Sequence, residues 1–471
     1  MVVGEIAEQK DVVIIGGGPG GYNAAIHLAV KGYDVTLIEK GKIGGVCLHE
    51  GCIPSKVFTT AASKLQDTET LSNFGIETKE TTFHIEQLQA YKGKVVEQLR
   101  KGVESLCKAN KIEIIEGHAS FLSEDRIGVD HGHQFDVYHF NHAIIATGSS
   151  LKENSIINVD HDVVFNDISI YKVTSLPKHL IVHGNTPYAM EVAMTYRTFG
   201  CHVSIVLSEE NEEFPFDTSI QKELIRVLKK QKIKCYQHVT DVKLERMEDG
   251  ISCTFVRNGE QQSIEGSHLY ISSDYRPNLE GIGADRLSLE LLDNGRIAVD
   301  QMMRTSLPHV YAIGDVTDGP MLAVKAIKQA EVVANTIAGE AAEFDPTFIP
   351  TVVHSLPPVA SVGMTEEQAI KNGFQVRIGQ FSYGANGYAT IHGKREGLLK
   401  VVINEENEVV LGFHAIGAGA VELISTGTVA LEMVAREEDL TFPHYPHPGF
   451  GESLTSLDYH VVTPKQTEYS S

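Results

Sequence analysis

A glycine-rich turn between a strand and a helix near the amino terminus constrains the fold more than any other feature of the sequence. The apolar run Asp11 to Ile15 leads into GGGPGG at residues 16–21, and an Ala-rich helical stretch then leads to a second apolar run that ends at Glu39. In such a βαβ unit the glycines allow a tight turn, close approach of backbone N–H groups to a pyrophosphate, and packing of the helix on the strand. The three positions are Gly16, Gly18 and Gly21. Because Glu39 can accept hydrogen bonds from a ribose diol, we predict a Rossmann-like dinucleotide-binding domain.

The strand and helix pattern occurs a second time. Another βαβ unit begins at His179 and extends to about residue 275. The run VYAIGDVTDGP then ends a strand at Gly314 and Asp315, which indicates a return to the first domain. From residue 351 the pattern changes to alternating strands followed by a helix, Ala420 to Ala435. We predict an α/β fold with two Rossmann-like dinucleotide-binding domains plus a C-terminal α+β domain, divided as 1–150 with 280–350, 151–279, and 351–471.

Charge and hydropathy exclude several classes of partner. The net charge of −22 disfavours nucleic acid and anionic membranes. No run approaches the roughly 20 apolar residues that cross a bilayer, and the amino terminus is charged where a signal peptide needs an apolar stretch. We therefore predict a cytoplasmic protein, with disorder only in Lys465 to Ser471.

Two cysteines stand close together just after the first βαβ unit. Cys47 and Cys52 lie in the run GGVCLHEGCIPSK, and the four residues between them can form a helical turn that brings the sulfurs together. Six cysteines in 471 residues do not resemble a secreted disulfide framework. In a reducing compartment, the pair is therefore predicted to be catalytic and to exchange electrons with a ring held by the preceding βαβ unit. No metal site is predicted.

Five ordered motifs resemble one enzyme family. These are the N-terminal glycine run, the cysteine pair with the following IPSK, the turn Ala146-Thr147-Gly148, the segment TSLPHVYAIGDVTDGPMLAVKA, and HPGFGE near the carboxyl end. Together they resemble the FAD-dependent pyridine nucleotide disulfide oxidoreductases, and within them the dihydrolipoamide dehydrogenases. The resemblance covers roughly residues 8 to 460. It implies that the C-terminal domain is a dimerisation domain and that FAD is the bound cofactor.

The resemblance also implies roles for the residues around the cysteine pair. Cys47 corresponds to the thiol that exchanges with substrate, and Cys52 to the thiol next to the flavin. Lys56 corresponds to the lysine at the flavin ring, where its charge favours the reduced ring, and Glu191 to the glutamate that pairs with it. Further cofactor contacts are implied at Gly45, Ala119, Gly148, Asp315 and Ala323, and the helix after Pro320 can direct its positive end at the ring.

A base for the thiols is expected near the carboxyl end. His447 and Glu452 have the spacing that the family uses for a histidine that carries the thiol proton and a glutamate that orients it. Imidazole suits this role because it titrates near neutrality. In the family each active site takes this pair from the other subunit, so the resemblance implies a homodimer.

The implied substrate is a small dithiol or a lipoyl group carried by another chain, with a 2-oxo acid dehydrogenase complex as a possible partner. Four positions depart from the family pattern beside the thiols and the base. They are Val46, where threonine is common, His49 and Glu50, where Asn-Val is usual, and Tyr445, where a histidine is common. These changes are expected to alter substrate fit or thiol pKa.

The second βαβ unit departs further from the pattern expected for NAD. Its loop retains the first glycine, Gly184, but has Thr186 and Ala189 at the other glycine positions, and Pro187 lacks an N–H. Leu207 stands where an acidic residue that binds the ribose is expected, as Glu39 does in the first unit. Asp274 replaces a family glycine near the dinucleotide.

Three hypotheses follow. In the first, the chain oxidises a dithiol at Cys47 and Cys52 and passes electrons through FAD to NAD, with Glu209 standing in for the lost acid. In the second, it is a divergent flavin disulfide reductase with a non-nicotinamide electron partner. In the third, it is a docking or structural flavoprotein of low activity.

Overall fold

The computed structural model describes residues 7–152, 162–208 and 213–462. The chain divides into two compact units. The first unit comprises residues 1–54, 90–154 and 273–346, and the second comprises 55–89, 155–272 and 347–471. The expected disorder of Lys465 to Ser471 lies outside the described residues, as does Glu209.

The first unit is built on a seven-stranded sheet of order β3-β2-β1-β6-β5-β4, with β16 beside β6. Its strands are β1 (Glu8–Ile15), β2 (Val35–Glu39), β3 (Glu113–Glu116), β4 (His118–Ser123), β5 (Arg126–Asp130), β6 (Phe135–Ile145) and β16 (Val310–Ala312). A small sheet pairs β7 (Ser149–Leu151) with β15 (Tyr275–Pro277). Strands β3, β2, β1, β6 and β16 are parallel, so their carboxyl ends meet at one edge, where ligands bind in open α/β sheets.

Helices of the first unit include α1 (Pro19–Val30), α2 (Gly45–His49) and α7 (Ala323–Ile337). Residues 12–15 of β1 are at most 5% exposed, as expected for a strand covered on both faces. Helices α3 (Cys52–Thr68) and α4 (Ile85–Ala109) each contain a point at which the chain passes from one unit to the other.

The second unit contains two sheets. The first has the order β13-β12-β11-β10-β9-β14-β8. Its strands are β8 (Val164–Phe165), β9 (His179–His183), β10 (His202–Ser208), β11 (Lys234–Met247), β12 (Gly250–Arg257), β13 (Glu260–Gly266) and β14 (His268–Ile271). Helices α5 (Pro187–Thr198) and α6 (Thr218–Lys230) follow β9 and β10. The parallel pairing of β9 with β10 completes a second βαβ unit, as predicted.

The second sheet of this unit is antiparallel, with order β17-β18-β21-β20-β19-β22. Its strands are β17 (Thr351–Val353), β18 (Val359–Gly363), β19 (Val376–Ser382), β20 (Gly397–Asn404), β21 (Val410–Gly417) and β22 (Asp458–Val462). The helices around it are α8 (Glu366–Lys371), α9 (Gly387–Ile391), α10 (Ala420–Glu432) and α11 (Glu437–Thr441). Two βαβ sheets and one antiparallel sheet confirm the predicted fold class.

One predicted element is shorter than expected. The helix expected over Ala420 to Ala435 ends at Glu432, because Val434 adopts a left-handed conformation with φ of 53°. A residue in this region cannot continue a right-handed helix. The backbone N–H of Val434 instead donates to the Leu431 carbonyl and closes the last turn.

Candidate active site

The N-terminal glycine loop forms a cradle of backbone without side chains. Gly16 has φ of 106°, and a Cβ there would lie 2.3 Å from the Ala146 carbonyl oxygen. A Cβ on Gly21 would lie only 1.8 Å from the carbonyl oxygen of Gly16. Both positions therefore require glycine, and the start of α1 lies directly against the end of β1.

A second glycine loop closes over the first. A Cβ on Gly45 would lie 2.7 Å from the Gly18 Cα, and the Gly44 N–H donates to the Gly17 carbonyl at 2.8 Å. Gly18 is the N-cap of α1, and no side chain accepts a hydrogen bond there. The N–H groups at the start of α1 therefore have no side-chain cap, which is the arrangement that binds a phosphate at a helix N-terminus.

Glu39 lies beside this cradle. Its two carboxylate oxygens accept hydrogen bonds from the backbone N–H groups of Gly17 at 2.6 Å and Gly41 at 2.8 Å. These bonds hold the carboxylate at the carboxyl end of β2. The cradle and the acid fit the diphosphate and ribose of a dinucleotide such as FAD.

The remaining predicted cofactor residues lie in the same unit. Asp315 accepts a hydrogen bond from the Ser149 hydroxyl at 2.8 Å, directly after Gly148, which has φ of 71°. Ala119 is buried in β4, and Ala323 is the first residue of α7. Contacts therefore join Gly16 with Gly21, Gly18 with Gly45, and Asp315 with Ser149. Ala119 instead pairs with Val129 of β5.

Lys325 is a residue near Asp315 that the sequence did not single out. Its side chain is 1% exposed, and its ammonium donates to the carbonyl oxygens of Thr317 and Asp318 at 3.2 and 2.8 Å. Burial lowers the pKa of Lys325 to about 8. The signal that could have identified it is its position in the first turn of the helix after the glycine-aspartate turn.

Cys47 and Cys52, the predicted redox pair, stand on either side of one tight turn. Cys47 lies in α2, and Cys52 is the first residue of α3. Between them the N–H groups of Glu50 and Gly51 both donate to the Val46 carbonyl at 2.8 Å, and a Cβ on Gly51 would lie 3.8 Å from the Cys47 Cα. The chain therefore turns back on Cys47 immediately before Cys52. This turn therefore places Gly51, the residue before Cys52, against the backbone of Cys47.

Two neighbours of the pair clarify its surroundings. Burial and then the nearby Cys47 thiol raise the pKa of the Tyr22 phenol, with a smaller contribution from Cys52. Tyr22 of α1, which the sequence did not single out, therefore lies beside the thiols. The His49 Nε2 is 2.9 Å from the Ile43 carbonyl oxygen, and since a carbonyl only accepts, this nitrogen donates. His49 thus anchors its own loop through that nitrogen.

Lys56 and Glu191 form an ion pair in which the carboxylate is buried and the ammonium is half-buried. The Lys56 ammonium donates to both oxygens of the Glu191 carboxylate, at 2.7 and 2.9 Å. Glu191 is 2% exposed and also accepts from the backbone N–H of His354 at 2.8 Å. Burial, followed by the neighbouring Lys56 ammonium, lowers the pKa of His354. A charge this buried needs such partners, so Glu191 holds Lys56 in one position on α3.

His447 and Glu452 also form a pair. The His447 Nδ1 lies 2.7 Å from the Glu452 Oε2, and the imidazole is 84% exposed. Nδ1 carries the proton toward the carboxylate, which leaves Nε2 directed away from Glu452. Asn386 stabilises the loop between His447 and Glu452, because its side-chain amide donates to the Gly449 carbonyl and to the Ser453 hydroxyl, both at 3.1 Å. Tyr445 donates to the Leu440 carbonyl and so supports the preceding turn.

The loop of the second βαβ unit is built differently from the first. Gly184 has φ of 130°, and a Cβ there would lie 2.3 Å from the Ser272 Oγ. Thr186 is the N-cap of α5, and its hydroxyl accepts from the Ala189 N–H. Leu207 is fully buried in β10. Asp274 belongs to the first unit, where its carbonyl accepts from the Lys152 N–H.

The described part of the chain shows neither a metal-binding cluster nor a membrane-spanning helix. Residues 7–152, 162–208 and 213–462 contain no cluster of His, Cys, Asp and Glu able to hold a metal ion. Within the same ranges, no helix combines the length and the apolar character that crossing a membrane requires.

Known proteins resemble this chain over almost its whole length. The family model described as pyridine nucleotide-disulphide oxidoreductase matches residues 10–330, and that of the dimerisation domain of these enzymes matches residues 349–457. A dihydrolipoyl dehydrogenase from Geobacillus stearothermophilus is 35% identical over 98% of this chain and 99% of its own length. One from Bacillus subtilis is 34% identical over 96% of each.

Two solved structures share the fold. LpdA from Mycobacterium tuberculosis has a TM-score of 0.87 and 22% identity, and the match covers 96% of this chain and 98% of that one. The HOCl-induced flavoprotein disulfide reductase RclA from Escherichia coli has a TM-score of 0.82 and 24% identity, and the match covers 95% of this chain and 99% of that one. The predicted family, its oxidoreductase chemistry and the dimerisation domain are confirmed by these matches, which cover almost the whole chain. The chain therefore belongs to the pyridine nucleotide-disulphide oxidoreductase family.

Proposed function

We propose that the chain is a flavin disulfide oxidoreductase of the dihydrolipoyl dehydrogenase type, which oxidises a dithiol at Cys47 and Cys52. The observation that carries this proposal is the tight turn that folds the chain back on Cys47 just before Cys52, following a glycine cradle suited to FAD. FAD, when bound, supplies the two-electron carrier that restores the cysteine disulfide. The curated relatives named dihydrolipoyl dehydrogenase support the choice of a dithiol substrate.

The residues carry out thiol–disulfide exchange. A substrate thiolate attacks the Cys47 sulfur of the oxidised pair, which breaks the Cys47–Cys52 bond and releases Cys52 as a thiolate. The second substrate thiol then attacks the substrate sulfur bound to Cys47, forming the substrate disulfide and releasing Cys47. His447 accepts the proton of the attacking thiol at Nε2, while Glu452 holds the imidazole. We assign Lys56 and Glu191 to the flavin side, with Lys56 supplying positive charge and Glu191 positioning it.

The exposed base supports a homodimer. The His447 imidazole is 84% exposed in a single chain, so it is accessible to a second copy. The dimerisation domain offers the means by which a second copy supplies His447 and Glu452 to each thiol pair. The electron source is then a small dithiol or a lipoyl group on another chain, for which a 2-oxo acid dehydrogenase complex is the proposed partner.

The remaining predictions extend this proposal. FAD lies at Gly16, Gly18, Gly21, Glu39 and Gly45, with Gly148, Asp315, Ala119 and Ala323 as further contacts. The domains are 1–150 with 280–350 for FAD, 151–279 for the second dinucleotide, and 351–471 for dimerisation, and the location is cytoplasmic. NAD is the electron acceptor that family membership implies.

An anaerobic titration of the yellow holoenzyme with dihydrolipoamide tests the function. We expect flavin bleaching and the long-wavelength absorbance of a thiolate beside oxidised flavin. Cys52→Ser should abolish both, while Cys235→Ser, a change at a cysteine outside the proposed site, should leave them intact. A flavin that stays oxidised in the wild-type holoenzyme would contradict the proposal and favour the docking or structural role.

A further inference from the structure

The two βαβ units of this chain align residue by residue, so the first serves as an internal reference for the second. Gly184 corresponds to Gly16, and both adopt positive φ, 130° and 106° respectively. From there the N-cap Gly18 corresponds to Thr186, and Gly21 corresponds to Ala189. The acid position aligns as well, since Glu39 and Leu207 each stand 23 residues after the first glycine.

Pro187 does not distinguish the loops, which corrects the sequence interpretation. It is the first residue of α5, and Pro19 occupies the same position of α1, whose N-terminus has no side-chain cap. The first helical position has no intrahelical partner for its N–H in any helix, so proline there costs little. The differences that matter lie at the N-cap, the third glycine position and the acid.

At the N-cap, the Thr186 hydroxyl accepts the hydrogen bond of the Ala189 N–H, a donor that a bound phosphate would otherwise use. Its hydroxyl accepts from the Ala189 N–H at 3.2 Å and shares a hydrogen bond of 2.9 Å with the Ser272 hydroxyl. Ser272 in turn lies against Gly184, where a Cβ would approach its Oγ to 2.3 Å. The cap is therefore held from both sides. In α1 no side chain takes this place.

The other two positions also lack dinucleotide contacts. Ala189 carries a Cβ, whereas a Cβ at the corresponding Gly21 would lie 1.8 Å from the preceding loop, so α5 cannot start as close to its strand as α1 does. Leu207 is 0% exposed, so it offers neither a hydrogen-bond acceptor nor access to a ribose. Asn185, which corresponds to Gly17, donates to the Glu213 carbonyl at 2.7 Å.

We propose that Thr186 closes the N-terminus of α5 to a dinucleotide pyrophosphate, and that NAD(H) consequently binds this chain far more weakly than an open glycine loop would bind it. The inference rests on the proposed function only for the identity of the nicotinamide partner. One charge-assisted hydrogen bond to a phosphate corresponds to about 10- to 100-fold in affinity. Thr186 is thus a specificity-determining residue that disfavours nicotinamide dinucleotides.

Calorimetric titration of the oxidised holoenzyme with NAD tests this, because NAD binds oxidised enzyme without reacting. Thr186→Gly removes the hydroxyl and the Cβ, and glycine is itself an acceptable N-cap. We expect this variant, and Thr186→Gly combined with Ala189→Gly, to bind NAD about tenfold or more tightly than wild type. The matched control Thr186→Ser retains the capping oxygen and should bind as wild type does.

The reciprocal change tests the same physics in the first unit. Gly18→Thr introduces the cap at α1, where a Cβ would have only an ordinary contact of 3.9 Å with Gly45. We expect the purified variant to lose FAD, seen as a fall in the flavin-to-protein absorbance ratio.

Unchanged NAD affinity in Thr186→Gly, equal tightening in Thr186→Ser, or full FAD retention in Gly18→Thr would each overturn the proposal. Dihydrolipoamide titration addresses the function separately, so either conclusion can fail without the other.

Discussion

Replacement of Glu452 should slow thiol oxidation in two separable ways. The carboxylate accepts a hydrogen bond at 2.7 Å from the His447 imidazole, and because that ring is 84% exposed, packing restrains it little. Glu452→Ala removes both the restraint and the negative charge. Glu452→Gln removes the charge but retains an oxygen that accepts from Nδ1.

The magnitudes follow from counting ring states and from Coulomb's law. Three χ1 wells, two ring orientations and two tautomers leave His447 about 12 states, so loss of the restraint costs on the order of tenfold in rate. In water, the lost charge contributes about 1 kcal/mol toward the imidazolium, or roughly fivefold. We expect a decrease of about fivefold for Glu452→Gln and about 50-fold for Glu452→Ala. For His447→Gln we expect about 10²- to 10⁴-fold, the usual contribution of a general base.

Stopped-flow reduction of the flavin by dihydrolipoamide measures these rates. Because Glu452 acts through His447, the double variant His447→Gln with Glu452→Ala should be no slower than His447→Gln alone. Decreases that multiply in the double variant would show that Glu452 acts independently. A Glu452→Ala rate equal to that of wild type would refute the orienting role.

Three further predictions concern stability and the cradle. Lys400→Met should lower the free energy of unfolding, measured in urea, by about 3–5 kcal/mol. Lys400 and Asp217 are both 0% exposed, so the substitution would leave the Asp217 carboxylate buried without its counter-charge. Lys222→Met, at an exposed position, serves as the control. Burial raises the pKa of Asp217, but the hydrogen bond and charge of Lys400, with His414 and the backbone N–H of Glu366, together outweigh burial and lower the pKa below 3.8. This stabilisation is therefore present above pH 3.8 and is lost as the pH falls further, so urea midpoints of Asp217→Asn should change less than those of wild type over that acid range. Gly21→Ala should abolish flavin retention, measured as the flavin-to-protein absorbance ratio. Gly102→Ala, where a Cβ would have nothing within 4 Å, should leave that ratio unchanged. A flavin-loaded Gly21→Ala protein would contradict the assignment of the glycine loop as the FAD cradle.

Local spacing was enough to predict the fold and most of the candidate site. Strand β1, the glycine run and strand β2 follow one another closely in the chain. Their geometry therefore depends on local backbone sterics, which can be inferred from the identity of single residues. The same holds for the turn from Cys47 to Cys52 and for the pair His447 and Glu452, whose members are close in sequence. In each case the residues that must meet are separated by a short, regular segment.

Interactions between distant residues were beyond the reach of spacing. Lys325 reads as a surface helix lysine, yet it is buried because the turn before α7 folds over it. The bond from His354 to Glu191 and the buried pair of Lys400 with Asp217 each join residues more than 150 positions apart.

The second βαβ unit separates the two kinds of information most clearly. The sequence by itself determined that Thr186, Ala189 and Leu207 replace two glycines and an acid, since each position follows from counting along the chain. Only the tertiary structure decided what the replacements do. Thr186 caps α5 and contacts Ser272 because β14 packs beside β9, and Leu207 is buried because β10 lies inside the sheet. Pairing between strands distant in sequence sets these contacts, so the local pattern does not encode them.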